Sequence, residues 1–190
     1  METVTTFNTA AVRKAAITNG LIWGAVSIVL FLVLYFVAPE MQGNWVGGTL
    51  SMVVGIALAV FFCLDMRKKA GGYWTFSEAL LNIFIMFLIA AAISYFFTIG
   101  FSKMVPEYAV RMKESVMNNT EATYRSVGLG EDKLAEAMAK LSEQLDKQFN
   151  PTPLQMITGF GITAVMYFIG ALIFAAIFKK TQPIFFKTEE

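Results

Sequence analysis

Four apolar runs, 17–38, 46–64, 79–101 and 154–178, contain no Asp, Glu, Lys, Arg or His, and nothing else in the sequence restricts its fold as strongly. A helix needs roughly 20 apolar residues to cross a hydrocarbon core of about 30 Å, and each run is close to that length or beyond it. Within lipid the backbone must satisfy its own hydrogen bonds, so runs of this kind become helices. The expected fold is all-α, a polytopic membrane four-helix bundle. Charged residues make up only 15% of the chain, against about 25% in soluble domains.

Composition also narrows the chemistry. There is one cysteine and no histidine. Disulfides within the chain are excluded, and so is a zinc site of the Cys/His type. The commonest general base at neutral pH is missing. A formal net charge of +1 gives no electrostatic footprint for nucleic acid. The reading is a non-enzymatic protein with no cofactor.

The first run differs from a cleaved signal peptide. Arg13 and Lys14 precede it as an n-region would, but it is longer than a signal core, and its exit through Tyr35, Phe36, Val37, Ala38 and Pro39 lacks a small-x-small cleavage pattern. It is expected to be a retained helix.

Basic residues set the orientation. Arg13 and Lys14 precede the first run, Arg67, Lys68 and Lys69 follow the second, and Lys179, Lys180 and Lys187 follow the fourth, whereas 39–45 has none. Segment 102–153 is long and nearly charge-balanced, so the short loops decide. The expected organisation is a cytoplasmic N-terminus (1–16), three transmembrane helices within 17–101, an extracytoplasmic helical hairpin (102–153), a fourth transmembrane helix (154–178) and a cytoplasmic tail (179–190). Trp45, Tyr73 and Trp74 fall where headgroup-level aromatics are expected, and 183–187 reads as an interfacial segment or a frayed end.

Small residues mark helix-packing faces. Gly47, Ser51, Gly55 and Ala59 recur every fourth position in the second run, and Ala16, Gly20 and Gly24 do so in the first. Such faces let helix backbones approach closely in a bilayer, either within one bundle or between copies. Asn82 and Tyr167 are the polar groups deepest in the runs. Each is expected to make an interhelical hydrogen bond or to line a solute path. Thr75 and Glu78 have capping-box spacing, which accounts for Glu78 without catalysis. Arg67, Lys68 and Lys69 are candidates for lipid-headgroup contact. Cys63 reads as a small buried hydrophobe.

Segment 102–153 is too long for an unstructured connection. Leu134, Met138, Leu141 and Leu145 form a 4-3-4 apolar seam, and Tyr108, Met112, Val116 and Tyr124 form a looser one. Gly128-Leu129-Gly130 separates them. An antiparallel helical hairpin is expected, with arms on the order of 30 Å. Its Leu134–Leu145 seam either buries itself against the other arm or is an interaction seam for a second copy of the chain or an envelope protein.

The four spans, the turn RKKAGGYWTFSEAL at 67–80, the small-residue first helix and the long segment before the fourth span together resemble the domain-of-unknown-function 4199 family. These are small integral membrane proteins found mainly in Bacteroidetes-type bacteria. The resemblance implies the topology and a bacterial inner membrane, with 102–153 periplasmic, and it implies no activity or site residue. The leading expectation is a scaffold or assembly protein acting through the hairpin, with the lipid bilayer around it. The alternative is a subunit, acting as an oligomer, for transport of an uncharged solute or lipid.

Overall fold

The computed structural model describes residues 8–181, so the segment 183–187 lies outside the described residues. Helix α1 (Thr9–Val37) starts ahead of the first apolar run because Asn8 caps it, its side chain accepting from the Ala11 amide at 3.0 Å. Pro39 then forces the chain out of the helix, and a 3-10 turn (Pro39–Met41) leads to α2 (Trp45–Lys69). Asn44 caps α2 by accepting from the Val46 and Gly47 amides. Gly71 and Gly72, with φ of 85° and 87°, reverse the chain in a region side chains rarely adopt. Helix α3 (Phe76–Met104) opens with the expected capping box: the Thr75 amide donates to Glu78 at 2.7 Å and the Glu78 amide to Thr75 at 3.3 Å.

The segment after α3 forms two helices, α4 (Pro106–Ser126) and α5 (Glu131–Phe149), and the last helix among the described residues is α6 (Pro153–Phe178). Proline stands at the start of both α4 and α6, where its missing amide costs nothing. A second capping box, Thr152 with Gln155, starts α6. The helices α1, α2, α3 and α6 are long and apolar enough to cross a membrane, and this is an all-α membrane protein.

Helix α3 is the hub. It shares its longest interface with α1 and its next with α6, while α2 packs mainly on α1. Helices α1 and α3 run parallel. Gly20 sits against Met86 and Ile89, Gly24 against Ile93, and Phe31 against Phe97 and Phe101. A Cβ on Gly24 would lie 2.6 Å from Ile93 Cδ1, and one on Gly20 would lie 2.8 Å from the Met86 carbonyl oxygen, so both positions exclude any side chain at this spacing. Helix α6 runs antiparallel to α3, pairing Phe84 with Phe168 and Tyr95 with Phe160.

We call the end carrying the α2–α3 turn basal and the end carrying α4 and α5 distal. All four long helices meet at the basal end around Val12, Cys63, Met66, Ala79, Ala171 and Ala175, each fully buried. Trp74 belongs to this core. It is 2% exposed. Its indole Nε1 donates to the Phe178 carbonyl at 2.7 Å, and its backbone exchanges two hydrogen bonds with Lys180. Those bonds cap the end of α6, where carbonyls would otherwise lack partners, and fasten it to the α2–α3 turn. Tyr73 stays at the surface with the Lys180 ammonium 5.1 Å over its ring.

At the distal end α4 and α5 run antiparallel. Tyr108 meets Phe149, Lys113 bonds Asp146 at 2.7 Å, and Arg125 bonds Glu131 at 2.7 Å. The pair is seated on the bundle through an aromatic cluster in which Phe31, Tyr35, Phe101 and Tyr108 pack edge to face. Burial pushes the Tyr108 hydroxyl up to about 12.

Candidate functional site

Two of the clefts on the distal half of the bundle lie between long helices. The larger, about 610 Å³, lies between α3 and α6 under the end of α5. The smaller, about 380 Å³, lies between α1 and α2 under Tyr108 and Met112 of α4. Both fall in the size range of small-molecule sites, about 300–1,000 Å³.

The α3–α6 cleft grades in polarity with depth. Its mouth carries Gln144, Lys147 and Gln148 from α5 and Gln155 from α6. Its walls carry Thr98 of α3 and Thr158 and Thr163 of α6. Each of these hydroxyls donates to a carbonyl four residues back on its own helix, at 2.9–3.0 Å. Tyr95 donates across to the Met156 carbonyl at 3.1 Å. With their protons committed, these four side chains present ring edges, methyl groups and weak acceptor oxygens, while Ser94 and Tyr167 also contribute hydroxyls to the lining. The depth ends at Ala91, Ile162 and Tyr167. Tyr167 packs edge-on to Phe87 and lines this cleft.

The small residues of α1 and α2 have different surroundings. Gly20 and Gly24 are buried against α3. On α2, Ala59 is buried in the basal core, and Gly47 is buried under the Met41 carbonyl. Ser51 is exposed and Gly55 half-buried, and with Gly47 they line the smaller cleft. The α2 face is thus split: Ala59 is packed in the basal core and Gly47 is covered by the Met41 carbonyl, while Ser51 and Gly55 between them face the cleft, because α1 turns its own small face to α3.

The α5 seam points inward. Leu134 and Leu145 are buried, Met138 and Leu141 half-buried, with Met112, Val116 and Met117 of α4 in the same cluster as Leu141 and Leu145. Of the two readings of the seam, burial against the other arm is the one this packing matches, and those side chains would meet an outside partner only if α5 left α4. At the basal end Arg67 is half-buried and Lys68 and Lys69 are exposed, with Lys69 bonded to Asp65 at 2.7 Å. Asp65 also accepts from the buried Asn19 amide at 3.0 Å, a link from α1 to α2 that the sequence reading overlooked. Asn82 donates to the Glu78 carbonyl at 2.8 Å, and its buried Oδ1 has no partner among the described residues. Glu78 is occupied with its cap.

A family model described as a protein of unknown function (DUF4199) matches residues 18–180. The chain belongs to this family. The match spans all four long helices and the α4–α5 pair of this DUF4199 protein, and it ends at Lys180, the residue whose backbone pairs with Trp74. No curated protein and no solved structure matches the chain.

Proposed function

We propose that this DUF4199 protein is a non-enzymatic integral protein of a bacterial inner membrane that holds a lipid-type amphiphile in the cleft between α3 and α6. The observation that carries the proposal is the gradient in that cleft, from charged and amide groups at the mouth to Ala91, Ile162 and the Tyr167 ring, with its one hydroxyl, in its depth. From Gln155 to Tyr167 the wall of α6 rises about 18 Å, close to the roughly 15 Å of one leaflet's hydrocarbon. A polyhydroxylated solute would need hydrogen-bond donors along its whole length, and the hydroxyls of Tyr95, Thr98, Ser102, Thr158 and Thr163 have already given theirs to the backbone, which leaves Ser94 and Tyr167 as the hydroxyl donors of the lining.

The positive-inside rule places the basal end, with Arg13, Lys14, Arg67, Lys68 and Lys69, on the cytoplasmic side. The α4–α5 hairpin then stands over the periplasmic leaflet, and the cleft opens into that leaflet. Arg67, Lys68 and Lys69 meet the headgroups of the opposite one. Assembly through the α5 seam is the weaker reading, because the seam is spent on α4.

Two measurements test the proposal. Single cysteines at Asn118 and at Lys68, in a Cys63→Ser background, are expected to react with a membrane-impermeant maleimide in intact spheroplasts at Asn118 and not at Lys68. The protein extracted in mild detergent is expected to retain lipid that the cleft-filling variant Thr98→Leu/Thr163→Leu loses. Equal retention by both proteins would reduce the bound lipid to an annular shell and defeat the proposal.

A further inference from the structure

Resting on that reading, we infer that the α3–α6 cleft selects a zwitterionic glycerophospholipid whose headgroup ends in a primary ammonium. Among the described residues Lys147 is the one formally charged side chain lining the cleft, and Glu143, one turn back on α5, already accepts a hydrogen bond from its ammonium at 2.5 Å. Glu143 does not itself line the cleft, but its carboxylate sits on the Lys147 ammonium at the rim, so a headgroup that reaches Lys147 meets a neutral pair of opposite charges and not a cationic patch. The neighbouring pair on the same helix, Asp146 with Lys113 of α4, is also neutral.

Each partner keeps hydrogen-bonding capacity. The Lys147 ammonium has two donors left for a phosphate, and the Glu143 carboxylate has lone pairs left for an ammonium. A headgroup with a phosphate and a primary ammonium inserts its own dipole against this pair, and no charge is left uncompensated. An anionic headgroup satisfies Lys147 and sets a second negative charge beside Glu143. A quaternary ammonium carries the right charge but has no N–H to donate to the carboxylate. Around the pair, Gln144, Gln148 and Gln155 supply amides for phosphate and glycerol oxygens. One acyl chain follows the methyl-lined walls down toward Ile162, and the other remains in the bilayer.

The test is competition. The full chain in mild detergent is equilibrated with equal amounts of phosphatidylethanolamine, phosphatidylglycerol and phosphatidylcholine, and the retained lipid is counted by native mass spectrometry. The phosphatidylethanolamine form is expected to exceed each competitor by on the order of tenfold, the worth of one charge-assisted hydrogen bond. Glu143→Gln, an exposed position where folding is not at issue, is expected to abolish that preference and turn it toward phosphatidylglycerol, since Lys147 is then unmatched. Lipid retained by the parent without headgroup preference, or a preference unchanged in Glu143→Gln, overturns the selectivity while leaving the cleft as a lipid site. Retention that survives Thr98→Leu/Thr163→Leu overturns both.

Discussion

At the scale of single residues, identical amino acids have opposite meanings in this protein. Gly24 is pressed against Ile93, whereas Gly48 has open space where its side chain would be. Gly24→Val is expected to destabilise the protein by about 1–3 kcal/mol through overpacking. Gly48→Ala is expected to be neutral or to stabilise by up to about 1 kcal/mol through helix propensity. Thermal unfolding in mild detergent separates the two. Trp74 makes a similar point. Its position before a span invites an interfacial reading, and it is also the clamp on α6. Trp74→Phe keeps most of the apolar volume and removes the bond to the Phe178 carbonyl. A loss of about 0.6–2 kcal/mol is expected, with faster hydrogen exchange at the Lys180 amide and unchanged protection across the α1–α3 interface.

At the scale of elements, the α4–α5 pair is a seated lid and not a free arm. Its two seams meet each other, and its near end is built into the aromatic cluster on α1 and α3. Leu145→Asp puts an unpaired charge into that contact. The expected result is a loss of about 3 kcal/mol or more in the pair's local stability. Hydrogen exchange should show protection falling throughout 106–149 while the four long helices keep theirs. Polar ties such as Lys113–Asp146 are exposed enough that their removal alone is expected to cost under about 1 kcal/mol.

At the scale of the molecule, all four long helices share one core at the basal end, while clefts open between α1 and α2 and between α3 and α6 toward the distal end. Cys63 is fully buried in that core. It is expected to resist a soluble maleimide in the folded protein and to react after denaturation, while a cysteine replacing Thr98 in a Cys63→Ser background reacts without denaturation. Much of this architecture is readable in the chain. Charge-free runs announce the four spans, Thr75 with Glu78 announces a cap, and the interrupted apolar spacing on either side of Gly128-Leu129-Gly130 announces two helices. The Thr152–Gln155 box carries the same signal and was legible too. What escapes the sequence is pairing. Periodicity marks a small face on α1 and another on α2 but not which helix each will meet, and here α1 gives its face to α3. The split of the α2 face, the Asn19–Asp65 link, the Trp74 clamp and the larger cleft all follow from that choice among partners. In a bilayer, where lipid is as apolar as the helices, composition does not make the choice.

The parallel neighbours α1 and α3 have a consequence for how the protein is made. Gly20 must wait for Ile89, and at bacterial or eukaryotic synthesis rates of about 5–20 residues per second the ribosome needs roughly 3 to 14 s to supply it. During that interval α1 has only α2 beside it, held by the shorter of its two interfaces. The first two helices therefore enter the membrane as a loose couple, and the translocation machinery or a membrane chaperone has several seconds in which the glycine face of α1 lies open to lipid or to a wrong helix. A chain arrested soon after the Gly71–Gly72 turn is expected to be a substrate for membrane proteolysis, and one arrested after α3 has emerged is not.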